Sequence, residues 1–393
     1  MANTSLHNAT KAKEDEFYTR YEDIQNELNH YEKYFVGKTV LCNCDDPYES
    51  NFCKFFLRNF NYLKLKRLIC TSYNSSPFAG TQISLFDIIE GTTEQGHGYV
   101  LDVTSVPMKN GRGVSDEDID RLLRSKKVVK ELKGNGDFRS DECIEYLKQA
   151  DIVVSNPPFS LFREYLAQLV QYHKQFLIIG NMNAITYKEV FPLIRDNKVW
   201  LGCRGLNKDM YFDVPDARKK WLVENKKEGS AYKIVNGIVM GRLASACWFT
   251  NLDIEKRHEK IVLYKKYTPE EYPTYDNYPA INVDKVTDIP MDYNGVMGVP
   301  ITFMDKYNPD QFEIVGLAPE RLSEQEASLQ IKRYINAIQH KADGTTCSGN
   351  KVNDGPVLVH EGIPAKYPYY TSETVPNKYL EVLYARILIR RKE

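Results

Sequence analysis

Four consecutive residues, Asn156-Pro157-Pro158-Phe159, follow directly on the apolar run Ile152-Val153-Val154-Ser155. Their types suit one kind of chemistry. An exocyclic adenine amine is a weak nucleophile because its lone pair is delocalised into the ring. A side-chain amide oxygen and a nearby backbone carbonyl can accept its two hydrogens, turn the nitrogen toward a sulfonium methyl and stabilise the positive charge that develops. Two prolines stiffen the turn that presents the carbonyl, and Phe159 can stack on a base drawn out of a duplex. No general base is needed before attack, since the proton can leave after the methyl arrives. The same tetrapeptide could also be an ordinary strand-to-helix turn with Phe159 in the core.

Two further segments carry polar groups that suit a cofactor. Cys42-Asn43-Cys44-Asp45-Asp46-Pro47 follows an earlier apolar run, where carboxylates can take an amino group or ribose hydroxyls. In Gly134-Asn135-Gly136-Asp137-Phe138, Asp137 could accept from a purine amine while Phe138 lies against the ring. Each can equally be a plain turn. Gly111-Arg112-Gly113 is too short for a phosphate loop and lacks its Lys-Ser/Thr. The acidic pair has no clear histidine partner, so no metal is expected.

The elements that must position these segments alternate. A helix is expected over 15–34, with Ile24, Leu28 and Tyr31 at helical spacing. Strands are expected at 38–42 and 65–71 around a helix at 50–60, an order that predicts parallel pairing through a right-handed crossover. Alternating runs at 82–86 and 98–103 suggest a hairpin inserted at 76–114, and 115–132 reads as partly helical. A helix at 142–149, a strand at 150–155, a helix at 160–172 and a strand at 174–180 frame the tetrapeptide. It thus falls at the C-terminal end of a sheet strand, where open α/β sheets bind ligands. Weaker alternation runs to 266, including strands near 246–249 and 260–264. Beyond it, 267–312 is crowded with Pro, Tyr, Asn and Asp, 325–340 suits a helix, and 342–362 reads as loop.

The domain reading is a polar, frayed N-terminus at 1–14, a catalytic domain at 15–266 and a further region at 267–393, with contributions from 200–228. A chain of 393 residues can bury a large core. No run of 18 uncharged apolar residues spans a membrane, and the start lacks the pattern of a secretory signal. Eight scattered cysteines read as free thiols in a reducing cytoplasm. The net charge of −1 neither requires nor excludes a nucleic acid, which needs a basic face and not a basic total.

At this point the sequence resembles the DNA adenine methyltransferases typified by the EcoRI modification methylase. Asn156-Pro157-Pro158-Phe159 looks like the catalytic motif of amino-methyltransferases. Asp15-Glu16-Phe17-Tyr18-Thr19 resembles the segment that cradles the methionine part of the cofactor, and Asn43-Cys44-Asp45-Asp46-Pro47 takes the place of the glycine-rich cofactor loop. Asp137-Phe138 looks like the adenine-contacting motif. The likeness continues through 160–165, 178–187 and 296–303, and so covers roughly 15–320.

The resemblance implies a Rossmann-like class I methyltransferase fold, α/β with a mixed, mostly parallel seven-stranded sheet, followed by a C-terminal DNA-recognition region. It implies S-adenosyl-L-methionine as methyl donor without a metal, Asn156 to Phe159 as catalytic residues, and Phe17, Tyr18, Thr19, Asn43, Cys44, Asp45, Asp46, Asp137 and Phe138 at the cofactor. It also implies double-stranded DNA as substrate, GAATTC as target, a monomer, and a restriction endonuclease acting separately. Arg204, Asn207 and Lys208 are candidate DNA contacts, being residue types that read base edges or hold phosphates. Two departures bear on the cofactor site. The Phe-x-Gly-x-Gly loop is missing, and the second strand ends in Thr71-Ser72-Tyr73 without a ribose-binding carboxylate. Methylation of cytosine N4 or of adenine in RNA, and an inactive DNA-binding protein on this fold, remain the alternatives.

Overall fold

The computed structural model describes residues 18–44, 46, 50–73, 97–107, 114–125, 127–214, 216–318, 332–364 and 366–392. Phe17, Asp45 and the 82–86 arm of the expected hairpin lie outside them. The chain divides into two compact units, Met1–Met182 with Leu201–Ile254, and Asn183–Trp200 with Glu255–Glu393.

The first unit opens with β1 (Tyr18–Thr19) and α1 (Tyr21–Leu28), which buries Ile24 and Leu28. Next come β2 (Thr39–Asn43), α2 (Asn51–Asn59), β3 (Arg67–Thr71), β4 (Tyr99–Val103), α3 (Asp116–Leu123) and β5 (Val129–Glu131). Then follow α4 (Asp141–Gln149), β6 (Ile152–Ser155), α5 (Phe162–Gln171), β7 (Gln175–Asn181), β8 (Trp200–Leu201), β9 (Met210–Asp213), β10 (Tyr232–Val235), β11 (Ile238–Leu243) and β12 (Ala246–Thr250).

Serine starts three of these helices. Ser50, Ser115 and Ser140 accept from the backbone N–H of Phe52 (3.1 Å), Asp118 (3.3 Å) and Cys143 (3.3 Å). Each satisfies a donor that the first turn leaves open, and acidic residues in the first turns of α3 and α4 favour the positive dipole end.

Among the described residues the main sheet has eight strands in the order β5-β4-β3-β2-β6-β7-β12-β8. Its four central strands are parallel, whereas β4, β5 and β12 pair antiparallel. The sheet therefore departs from the expected seven mostly parallel strands. The run at 98–103 is β4, inserted beside β3, and 115–132 ends in a strand: α3 stops at Leu123, and β-branched Val128 and Val129 lead into β5.

From β2 the chain crosses to β3 on one side, and from β6 to β7 on the other. Right-handed crossovers in opposite directions put α2 and α5 on opposite faces. Adjacent residues of β12 meet them, since alternate side chains of a strand face opposite ways. The Trp248 ring meets Phe52 of α2 edge-on at 5.9 Å, and Phe249 meets Phe162 of α5 at 5.0 Å. A smaller sheet, β1-β9-β11-β10, buries Met210 and Phe212 against the core on the α2 side.

The described residues of the second unit form two sheets. Strands β13 (Ile281–Asn282), β14 (Met297–Pro300), β15 (Phe312–Ala318) and β21 (Arg386–Arg391) form one in the order β13-β14-β21-β15. Strands β16 (Ile338–His340), β17 (Thr346–Ser348), β18 (Val357–His360), β19 (Tyr369–Ser372) and β20 (Val375–Val382) form the other. A fully buried amide joins the Pro- and Tyr-rich stretch to the second sheet: Asn277 donates to Gly355 O and accepts from Val357 N, both at 2.9 Å.

Three expectations change here. The run at 260–264 is not a strand, because the Gln311 side chain takes both backbone groups of Ile261, at 2.8 Å each. The expected helix at 325–340 ends as strand β16, and Asn336, at φ +51°, is incompatible with a helix there. The supposed loop at 342–362 contains β17 and β18.

Among the described residues no helix is long and apolar enough to cross a membrane, and no cluster of His, Cys, Asp and Glu is placed to hold a metal ion. All eight cysteines are free.

Candidate active site

Neighbouring strands β2 and β6 send their connections to opposite sides of the sheet, which opens a crevice at their C-terminal ends. Asn43 ends β2, Ser155 ends β6, and Asn156 comes next. The ends are tied together. The Ser155 hydroxyl donates to the Asn43 backbone carbonyl, and the Tyr165 hydroxyl of α5 donates to Asn43 Oδ1. Asn43 is 2% exposed, so its side chain serves as a strut between the first strand and the helix that follows the tetrapeptide.

The tetrapeptide turns sharply into that helix. Pro157 is buried, Asn156 and Pro158 are half-buried, and Phe159 packs partly buried against the core. The Leu161 N–H closes the turn on Pro158 O at 2.9 Å. Helix α5 sits close to the sheet because Gly180 of β7 has no side chain: a Cβ there would lie 2.3 Å from the Phe162 ring.

One face of α5 then builds the wall behind the Gly134–Phe138 loop. Tyr165 meets the buried Phe138 ring edge-on at 5.1 Å, and Gln168 Nε2 donates to Phe138 O at 3.2 Å. Both Asp137 carboxylate oxygens accept from Arg139: Oδ1 from its backbone N (2.9 Å) and Nε (3.0 Å), Oδ2 from Nη2 (2.7 Å). Burial raises the Asp137 pKa, but these hydrogen bonds and the Arg139 charge outweigh it and hold the carboxyl below its usual 3.8. Arg139 also reaches Glu164 of α5 at 2.9 Å.

The loop presses on the end of β3. At Gly136, φ is +78° and a Cβ would lie 1.9 Å from Ser72 O. Only glycine supplies both that conformation and that approach.

On the other side of the crevice, Thr19 O accepts from Asn51 Nδ2 at the start of α2, at 2.8 Å. The pair Tyr18–Thr19 forms β1, beside Asp213 and Phe212 of β9. Cys44 follows β2 at φ +65°, and the backbone carbonyl of the buried Asp46 accepts the Ser50 N–H at 2.7 Å.

Of the expected cofactor residues, Asn43, Cys44 and Asp46 thus share the end of β2, Tyr18 and Thr19 flank the start of α2, and Asp137 and Phe138 lie against α5. These residues suit a cofactor in this structure. Among the described residues the buried Thr19 hydroxyl has no hydrogen-bond partner, and the Arg139 fork favours the charged form of the Asp137 carboxylate.

The candidate DNA contacts separate. Arg204 is anchored: Nη1 donates to Asp23 Oδ1 at 2.7 Å, Nη2 to Asp209 O, and its backbone N to Glu27 Oε2 at 2.9 Å. Asp23 and Glu27 of α1 are 3% and 2% exposed, and burial pushes the Glu27 pKa up despite the donors around it. Asn207 and Lys208, in the turn beyond, are exposed.

Sequence reasoning missed Tyr165, Gln168, Arg139 and Glu164. Tyr165 and Glu164 stand in a run already similar to the family, but their partners lie 25 to 122 residues away, and spacing does not reveal them.

The sequence matches the family described as adenine-specific methyltransferase EcoRI over residues 5–392. The chain belongs to that family. It is 46% identical to the type II methyltransferase M.EcoRI of Escherichia coli over 320 residues, 80% of this chain and 89% of that one. The type II methyltransferases M.MgeORF184P of Mycoplasma genitalium and M.MpnI of Mycoplasma pneumoniae are 40% and 37% identical, each over 78% of this chain and covering 84% and 83% of their own. No solved structure matches. As a member of the family, the chain is a site-specific DNA methyltransferase, and the family implies S-adenosylmethionine as the methyl donor.

Proposed function

We propose that the chain methylates N6 of adenine in double-stranded DNA, with GAATTC as its target, on a Rossmann-like class I methyltransferase fold. The observation that carries this reading is the Asn156-Pro157-Pro158-Phe159 turn at the end of β6, next to the end of β2 and backed by α5.

When bound, S-adenosylmethionine supplies an electrophilic methyl on a sulfonium. Tyr18, Thr19, Asn43, Cys44 and Asp46 line the region that would hold it, with Asp137 and Phe138 at its adenine; Phe17 and Asp45 belong to the same proposed set. The residues of the turn do the rest. The Asn156 amide oxygen and a backbone carbonyl of the Pro157-Pro158 turn accept the two hydrogens of a flipped adenine's amine. They orient its nitrogen and stabilise the charge that grows on it. Phe159 stacks on the extruded ring. The proton departs after transfer, so no side chain needs to act as base first.

In this reading the C-terminal region, 267–393, reads the DNA, with help from 200–228. Asn207 and Lys208 touch the duplex, and Arg204 holds their turn in place. The enzyme acts as a monomer, on each strand separately, and a partner endonuclease would work independently. The test is to expose unmethylated genomic DNA and, separately, unmodified RNA to the enzyme and map every modified base. N6-methyladenine confined to the second adenine of GAATTC is expected; N4-methylcytosine, or modification of RNA alone, would overturn the proposal.

A further inference from the structure

Arg139 spans two parts of the site. One edge of its guanidinium forks onto Asp137, and the other end donates to Glu164 of α5 at 2.9 Å. The group also lies over the Phe138 ring, 5.4 Å from its centre. A carboxylate offers about four acceptor sites. Arg139 uses three of them on Asp137, two at Oδ1 and one at Oδ2. Among the described residues one remains on Oδ2, which is what a purine amine requires. The fork therefore fixes the carboxylate's rotamer without blocking it. Lysine, a point charge on a flexible stem, cannot reproduce that geometry.

We propose that Arg139 is a positioning residue for the methyl donor: it sets Asp137 and Phe138 as one unit for the donor's adenine and ties that unit, through Glu164, to the helix that follows the catalytic turn. The inference rests on the reading of Asp137 and Phe138 as the adenine site. It differs from a surface ion pair in its consequence. Arg139 and Glu164 are about half exposed, 49% and 59%, and exposed pairs of this kind add little to stability. A positioning role changes donor affinity and leaves the fold intact.

The experiment uses the full chain with Arg139→Gln, Arg139→Lys, Glu164→Gln and Asp137→Ala. Equilibrium binding of S-adenosylhomocysteine is measured by calorimetry, KM and kcat by methyl transfer, and the melting midpoint as control. Arg139→Gln is expected to weaken binding about tenfold, or about 1.4 kcal/mol. KM for the donor should rise in step, while kcat at saturating donor, KM for DNA and the melting midpoint stay near wild type. Arg139→Lys should recover little, and Glu164→Gln should weaken binding about threefold. If Asp137→Ala loses binding and Arg139→Gln does not, the inference falls and the adenine-site reading survives. If both bind as wild type does, the reading falls with it. A lowered melting midpoint with unchanged donor affinity would reduce Arg139 to a structural ion pair and also overturn the inference.

Discussion

Replacing Gly136 by alanine should displace the loop that carries Asp137 and Phe138. The new Cβ would stand 1.9 Å from Ser72 O and 2.9 Å from the Ser72 carbonyl carbon. Ordinary contact begins at 3.4 Å, so the backbone must open by about 1.5 Å, the difference between the two oxygen distances. Neither side gives way easily. Ser72 is pinned to Tyr99 by its N–H (2.9 Å) and its Oγ (3.1 Å), and the far side of the loop is backed by α5 through Phe138. The φ of +78° adds a cost of about 1 kcal/mol for a residue with a Cβ. A misplacement of about 1 Å in a positioning group can cost on the order of 100-fold in rate. Gly134→Ala is the control, since nothing lies within 4 Å of the Cβ it would add. Both variants are assayed by S-adenosylhomocysteine binding, methyl transfer and melting. A large loss of binding and rate in Gly136→Ala, against near wild-type behaviour in Gly134→Ala, is expected. If the two variants bind within about threefold of each other, the Ser72 contact does not set the loop, and the reasoning fails.

Other consequences follow from buried polar groups. Glu27→Ala leaves the N–H groups of Cys203 and Arg204 and the Tyr31 hydroxyl without their acceptor; at about 1–3 kcal/mol each, offset by relief of the buried charge, urea denaturation should show a loss of about 3–5 kcal/mol. Because the folded-state pKa of Glu27 is raised, wild type gains stability as pH falls from that pKa toward 4.5, and the variant should lack this component of the slope. Tyr165→Phe strips Asn43 Oδ1 of its buried donor and should cost about 1–3 kcal/mol, read by the same method. Arg204→Met should lower stability by about 2–3 kcal/mol, since among the described residues only Arg20 would still pair with the buried Asp23. Lys208→Ala should leave stability intact, weaken DNA binding alike across sequences and reduce the salt slope by about 1.

The central strands were legible because burial on both faces forces unbroken apolar runs: every residue of β2 and of β6 is buried. The helices between them were expected at 50–60, 142–149 and 160–172, and α2, α4 and α5 keep those bounds to within two residues. The edges did not. Strand β5 is half-buried or exposed along its length, so it carries no pattern to read. Ile261 looks like part of a strand, but its ladder partner is the Gln311 side chain. The proposed catalytic turn could be singled out because the chemistry it suits is contained in four adjacent residues. The Asn43–Tyr165 strut and the Asp137–Arg139–Glu164 chain are assembled from distant segments, and no local spacing encodes them. Arg204 teaches the same lesson in reverse. Its residue type suits DNA, but its partner is Asp23, 181 positions away.

The most direct test compares wild type and Asn156→Ala in single-turnover transfer of labelled methyl. The substrates are a duplex containing GAATTC and the same duplex already N6-methylated at the second adenine of both strands. Wild type should label the first and not the second. Asn156→Ala should bind S-adenosylhomocysteine and DNA normally and transfer on the order of 100- to 1,000-fold more slowly. Equal labelling of both duplexes, or a variant as fast as wild type, would contradict the account of how this site selects and activates its amine.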